Sequence, residues 1–469
     1  MANATTHTVE NNTNLETENN QKERKESNNK TNEYKKIPTA NPKKFLFISL
    51  DNLSGDLAWQ IQKEGHEVKY YTKNKSEREV ASGFITQIPE LNSETISWAD
   101  VIIFDDVLGQ GAEAKKLRDK GKFVIGGTPY TDKLEDDRAF GQEELKKAGV
   151  AILPYKDFTS FEEAIEYVKA NPNKYVIKPS GEAQNMKGLL FIGEEDDGKD
   201  VIQVLNDYNK AWSKKIPQFQ LQKRVSGVEV AVGAFFNGKE FIYPINVNFE
   251  HKKLFPGNLG PSTGEMGTLM FWSGPNRIFN ATLKKMESKL AEEGFVGYVD
   301  INCIVNSNGI YPLEWTPRFG YPTISIQQEG MITPIGEFMY ELAQGKTPKL
   351  KTKQGFQIGI RIVVPPFPFN DKETFDVKSK DSIVYFKKQI DGVHIEDVKL
   401  VNGEWVVTGS AGVILIVCGT GQSVKQAQTQ AYTRIKSITI PHMYYRKDIG
   451  DRWFEDSDKL HTWGYLREQ

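Results

Sequence analysis

From Lys44 onward, short apolar runs alternate with amphipathic segments of helix length. KFLFISL (residues 44–50) stops at Asp51-Asn52, as a strand does when it meets turn residues. SGDLAWQIQKEG then has the spacing of a helix, with Leu57, Ala58 and Ile61 on one stripe and Gly65 at its end. HEVKYY, ADVIIFDD and KFVIGG are further strand runs, the last two separated by the helical EAKKLRDKG. Such alternation predicts a parallel sheet with right-handed crossovers. Ligands of these sheets sit at the carboxyl ends of the strands. Asp51, Asp105 and Asp106 fall there, either as ligand groups or as caps of the following helices.

The pattern then changes. DKLEDDRAFGQEELKKAGV (132–150) reads as one charged helix and FEEAIEYVKA (161–170) as another. Residues 174–193 read strand, Gly-containing loop, strand, and residues 217–245 a strand followed by a hairpin turning at Asn237-Gly238. After a Gly- and Pro-rich loop comes a helix over 281–294, then a hairpin over 297–320 turning between Asn306 and Gly309. From Gln354 short strands return, ending in VVTGSAGVILIVCGTG and the helix SVKQAQTQAYTRIKSI. The expected class is a multidomain α/β and α+β protein. Its units are a tail (1–42), a parallel α/β domain (43–130), a central domain (131–353) with a subdomain over about 150–227, and a small mixed domain (354–469).

The tail is Asn, Thr, Glu and Lys with almost nothing to bury, and is read as disordered. Over the 469 residues the formal net charge is -2, and the Lys-rich runs are interleaved with acids, which argues against nucleic acid as a partner. No stretch reads as a signal peptide or a membrane span. Cys303 and Cys418 lie inside apolar runs and read as reduced core residues. A soluble, cytoplasmic protein follows as the default, with no membrane partner, as a monomer or weak homodimer.

Three stretches carry candidate chemistry. KPSGEAQNMKG (178–188) joins two strands through small residues; it is either a plain hairpin or a loop that folds over phosphates, with Lys178 and Lys187 adding charge. GPSTGEMG (260–267) places three glycines, a proline and two hydroxyls in a structured loop, with His251 and Lys252 upstream. In LEWTPRFG (313–320), Glu314, Thr316 and Arg318 are two apart and so share a strand face. Asp300 comes from the other arm of that hairpin. A regular turn centred on Ser307-Asn308 pairs Asp300 with Trp315 and leaves Glu314 on the opposite face; an odd-numbered loop or a bulge at Pro312 brings both carboxylates together. Oxygen-only ligands point to magnesium rather than zinc.

In this order the loops resemble the ATP-grasp ligases, and among them the glycinamide ribonucleotide synthetase (phosphoribosylamine–glycine ligase) family. That family carries GPNTGGMG where this chain has GPSTGEMG, an aspartate-His-Lys-Arg element where it has EHKK (250–253), and LEFN-x-RFGDPE where it has LEWTPRFGYPT. Its terminal YRKDIG stands at 445–450 and the LAW of its first helix at 57–59, so the likeness runs through nearly the whole folded chain.

The resemblance implies an ATP-grasp central domain and a ligase that phosphorylates a carboxylate and lets an amine displace the phosphate. ATP and Mg2+, with Mn2+ as an alternative, are the implied cofactors, and a small-molecule acid and amine the substrates. It implies Asp300, Glu314 and Thr316 as metal ligands and Arg318 as the catalytic group on the migrating phosphoryl. Arg138, Lys178, Lys187 and Lys252 would contact the nucleotide's phosphates, the hinge residues Gln222, Lys223 and Val225 its adenine, and Glu229 its ribose. The loop over 178–188 becomes a lid that excludes water. Departures cluster on the substrate side. The family's Gly-Gly-Arg-Glu-His is DNLSGD here, its Gly-Pro-Glu is FDD (104–106), its metal-strand Asn is Thr316, and its last-domain Gly-Gly-Arg is Ser410-Ala411-Gly412. Three readings stay open: that ligase in purine synthesis, a ligase with another acid or amine, and a nucleotide-binding protein without turnover. A phosphate-sized basic pocket near Asp51, Asp105 and Arg318 would favour a ribose phosphate; an acidic one would exclude it.

Overall fold

The computed structural model describes residues 39–107, 109–181, 183, 189–388 and 391–466. The expectations for the tail fall almost wholly outside these residues, and that for Lys187 lies outside them.

The first unit is the parallel sheet that the alternation predicts. β1 (Lys44–Ser49), α1 (Gly55–Lys63), β2 (Glu67–Thr72), α2 (Ser93–Trp98), β3 (Val101–Phe104), α3 (Gln110–Asp119) and β4 (Phe123–Ile125) follow one another, and the strands lie in the order β2-β1-β3-β4. Phe45 and Phe47 pack into one core and Leu46 and Ile48 into another, so β1 is buried on both faces, as inner parallel strands are.

The charged segment after Thr128 is two helices, not one: α4 (Pro129–Asp136) and α5 (Arg138–Lys147). Asp137 leaves helical geometry (φ -116°, ψ 94°), and its side chain caps α5 by accepting from the Phe140 N–H at 3.0 Å. The break puts Glu135 at the end of one helix and Arg138 at the start of the next.

A four-stranded antiparallel sheet follows. β5 (Tyr155–Phe158), β6 (Tyr175–Pro179), β7 (Phe191–Ile192) and β8 (Phe219–Lys223) pair in the order β5-β8-β6-β7, backed by α6 (Phe161–Ala170) and α7 (Lys199–Trp212) around Phe219. The largest element is an eight-stranded antiparallel sheet. Its members are β9 (Val228–Asn237), β10 (Phe241–Glu250), β13 (Gly267–Ser273), β14 (Val296–Asn306), β15 (Gly309–Thr316), β16 (Phe356–Val363), β18 (Val393–Ile395) and β21 (Val413–Gly421), in the order β15-β14-β9-β10-β13-β16-β21-β18. The expected boundary at Gln354 therefore falls within one continuous sheet, because β16 is hydrogen-bonded to β13.

The two faces of this sheet differ. Val299, Ile301, Cys303 and Val305 of β14 join Val247, Phe249, Leu269 and Phe271 in an apolar core. The alternate residues, Asp300 and Asn302 with Asn246 and Asn248, face the other way and are buried too. Burial of so many carboxylates and amides is costly unless each finds partners, which marks this polar face as the candidate site. Cys303 and Cys418 are buried free cysteines.

Candidate active site

The hairpin of β14 and β15 settles the register left open by the sequence. Asn306 pairs with Gly309 and Cys303 with Pro312, but the next pair is Asn302 with Glu314, then Ile301 with Trp315 and Asp300 with Thr316. Leu313 is the extra residue, a bulge one position beyond the expected Pro312. It brings Asp300, Asn302, Glu314 and Thr316 onto one face, whereas the regular pairing of Asp300 with Trp315 does not occur. The neighbouring strand continues that face: Asn302 pairs with Ala231 and Ile304 with Glu229 across β14 and β9.

Lys252 stands in the middle of it. Its ammonium lies 2.6 Å from Glu314 Oε1, 2.9 Å from Glu229 Oε1 and 3.5 Å from Glu250 Oε2. Asn302 Nδ2 donates to the same Glu229 and Glu250 oxygens at 3.0 and 3.1 Å. Lys252 holds the Glu314 carboxylate down to about 2. Burial acts against the Lys252 charge, but Glu229, Glu314 and Glu250 outweigh it and raise its pKa well above the ordinary value. Asp300, 3% exposed, is pushed up to about 8 by burial and by the Glu250 charge; Tyr298 OH donates to it at 3.1 Å. Burial lowers the Lys178 ammonium to about 7, with Arg138 adding to the effect. Arg138 Nη1 in turn donates to Pro179 O at 2.9 Å, tying the start of α5 to the end of β6.

Arg318 is held by acids from the parallel-sheet side. Nη2 donates to Glu135 Oε1 at 2.8 Å and Nε lies 3.4 Å from Asp106 Oδ1. These charges raise the guanidinium pKa although burial opposes it. Behind Asp106, the buried Asp105 carboxylate accepts from Ser54 Oγ at 2.7 Å and Tyr70 OH at 3.1 Å, and burial pushes it up to about 6. The loop after β1 thus spends its donors on a carboxylate of this chain. Ser410, at the position of the family's last-domain Gly-Gly-Arg, donates its Oγ to Glu77 at 2.8 Å.

A cavity of about 320 Å³ runs between these groups, lined by Arg138, Glu250, Lys252, Asp300, Glu314 and Arg318 among others. Glu265 and Arg361 also line it, and each keeps a buried atom, Oε1 and Nε, without a hydrogen-bond partner among the described residues. Of the sequence candidates, the structure brings together Asp300, Glu314, Thr316, Lys252, Glu229, Arg138 and Lys178. Gln222, Lys223 and Val225 lie at the exit of β8, where Lys223 N–H donates to Pro154 O. The cavity's lining does not include them. Asn302, Glu135, Glu265 and Arg361 were not singled out. Only Glu265 carried a signal, as the lone charge in GPSTGEMG.

The donor set suits magnesium. Among the described residues no three His, Cys, Asp or Glu side chains form a metal cage, and an ammonium stands among the carboxylates instead. Magnesium is commonly held by one or two carboxylates together with substrate phosphates, and Asp300, Glu314, Thr316 and the buried, unpartnered Asn302 Oδ1 offer oxygen alone.

Residues 136–324 match the phosphoribosylglycinamide synthetase ATP-grasp (A) domain, and residues 371–452 the C domain of the same synthetase. The phosphoribosylamine–glycine ligase of Clostridium acetobutylicum is 26% identical over 348 residues, covering 71% of this chain and 80% of that one. That of Streptococcus pneumoniae is 23% identical over 359 residues, covering 74% and 82%. Among solved structures, the phosphoribosylamine–glycine ligase of Thermotoga maritima superposes with a TM-score of 0.65 at 20% identity, over 87% of this chain and all of that one. The biotin carboxylase domain of the Hydrogenobacter thermophilus 2-oxoglutarate carboxylase, solved with MgADP, ADP and bicarbonate, superposes at 0.60 and 14% identity over 91% and 99%.

Proposed function

The chain belongs to the phosphoribosylglycinamide synthetase family, and on that premise we propose that it is an ATP-dependent carboxylate–amine ligase joining phosphoribosylamine and glycine in purine synthesis. The observation that carries the chemistry is the bulged hairpin, which sets Asp300, Glu314 and Thr316 opposite Lys252 and beside Arg318.

In the reaction a carboxylate oxygen attacks the γ-phosphorus of ATP and ADP leaves. The amine then attacks the acyl carbon, phosphate leaves, and the nitrogen gives up a proton. Asp300, Glu314 and Thr316 would hold Mg2+, or Mn2+ in its place, which would supply positive charge against the phosphates. Lys178 and Arg138 face the phosphates from the small sheet and α5, where charge is worth most because burial excludes water. Lys252, whose ammonium pairs with Glu314 and Glu229, would also offer positive charge to a phosphate entering the cleft. Arg318, fixed by Glu135 and Asp106, is pre-oriented toward the transferred group, so little reorganisation is spent at the moment of reaction. Gln222, Lys223 and Val225 would take the adenine and Glu229 the ribose. Asn302 and Tyr298 hold Glu229, Glu250 and Asp300 in place. We place the enzyme in the cytoplasm as a monomer or weak homodimer; among the described residues no helix is long and apolar enough to cross a membrane.

A second reading has one observation in its favour. The corner where the family's Arg and His would receive a phosphate holds Asp105 and Asp106, which suits an amine without a phosphate. ADP release decides between them. Turnover with phosphoribosylamine and glycine supports the first reading; turnover only when the amine lacks the phosphate supports the second. Absence of ADP release across a panel of acids and amines would overturn both.

A further inference from the structure

The largest cavity described lies away from the catalytic face, on the apolar side of the eight-stranded sheet. It measures about 1050 Å³, against about 320 Å³ for the catalytic cleft. Its walls come from the end of β13, the turn into α8 (Arg277–Ala281), the start of β16, and α14 (Trp453–Thr462) with the segment after it. None of the described residues lining it is Asp, Glu or Lys; Arg277 supplies the fixed charge. This is the reverse of the catalytic cleft, whose lining carries five carboxylates.

Two features give the cavity a chemical preference. The first is an aromatic wall. The half-buried Trp453 ring is 5.2 Å from Phe356 and 5.4 Å from Phe271, both of which also line the space. The second is a polar rim of amides, Asn276, Asn280, Gln354 and Gln422, beside the Arg277 guanidinium. Asn276 Oδ1 caps α8, while its Nδ2 is buried without a hydrogen-bond partner among the described residues. The Arg277 guanidinium lies 4.6 Å from the Tyr465 ring and donates to Trp463 O at 3.3 Å, which fixes it at the rim. Aromatic faces bind planar rings, amide edges read their donors and acceptors, and a guanidinium with no acid near it in the wall binds an anion.

We propose that this cavity is a second ligand site, for a planar heteroaromatic ring carrying an anionic group, of the size and chemistry of a nucleoside monophosphate. It stands on different residues from the ligase reading and survives or fails without it. Its position ties it to the catalytic strands. Arg452, next to Trp453, donates to the backbone carbonyls of Glu250 at 2.9 Å and Glu229 at 2.5 Å.

Titration calorimetry on the full chain, with a non-hydrolysable ATP analogue and magnesium saturating the catalytic cleft, tests this with AMP as the probe. The expected result is one further equivalent of AMP bound, at least tenfold more tightly than adenosine or inorganic phosphate. Arg277→Gln, a change at an exposed rim position, is expected to weaken AMP at least tenfold while leaving affinity for the ATP analogue unchanged. Absence of AMP uptake once the cleft is filled overturns the proposal, as do AMP no tighter than both fragments and an unaltered affinity in Arg277→Gln.

Discussion

Burial beside Arg138 leaves the Lys178 ammonium near its midpoint at neutral pH, about 7. A nucleotide's phosphates would favour its charged form, so binding above that pH must draw in a proton. Calorimetry of ATP binding at pH 8 in buffers of different ionisation heat is expected to show uptake approaching one proton, falling toward zero at pH 6. Lys178→Arg, charged throughout, is expected to abolish the uptake; an unchanged proton count would place Lys178 outside the phosphate site. Strand periodicity made Glu314 and Thr316 legible as neighbours on one face, but Arg318, expected to share it, lies two residues past the end of β15 and is placed by its acidic partners instead. Asn302, Glu135 and Arg361 were not legible, because they reach the cleft from β14, α4 and β16, and only the packing of those elements makes them neighbours.

At the scale of elements, two irregularities position the chemistry. The Leu313 bulge decides which face the hairpin shows, and a local sequence cannot decide it, because one extra residue costs little and inverts the parity of pairing. The break at Asp137 is the other. Its flanks are so uniformly charged and helix-forming that composition reads straight through it, whereas the Asp137 cap on Phe140 N–H starts a new helix with Arg138 at its head. Asp137→Ala is expected to lower stability to urea by about 1 kcal/mol, the usual loss for an N-cap. It should also weaken ATP severalfold, because Arg138 loses its fixed approach to Pro179 O. A stability loss with ATP affinity intact would show that Arg138 does not depend on this helix start.

Over the whole molecule, the parallel sheet is joined to the large sheet through α1, and the joint is ionic. Asp56 Oδ2 lies 2.6 Å from His394 Nδ1 on β18, Ile395 N–H donates to Asp56 Oδ1 at 3.1 Å, and Glu329 Oε1 lies 3.4 Å from His394 Nε2. The same helix offers Glu64 to the N–H groups of Ile335 and Gly336 at 2.8 and 2.7 Å. Alternating strands and helices made the first unit legible, but they hold no record of this docking, in which residues more than three hundred positions apart meet. Burial works against both charges, yet His394 pulls Asp56 below its ordinary 3.8, and Asp56 lifts His394 well above 6.5. The raised histidine contributes stability that is complete below pH 6.5 and is lost as pH climbs through its folded value. The depressed aspartate contributes stability that is complete above pH 3.8 and is lost as pH falls through its own. The joint is therefore strongest between those two values. Asp56→Asn keeps the shape, removes the charge and leaves His394 only the more distant Glu329 carboxylate, a loss of about 3 kcal/mol for a broken buried pair. Urea midpoints of the variant and the parent are expected to differ most near pH 5 and to converge as pH drops toward 2. A gap of constant size from pH 3 to 7 would mean that the carboxylate holds the two sheets together by shape and hydrogen bonding, with its charge contributing nothing.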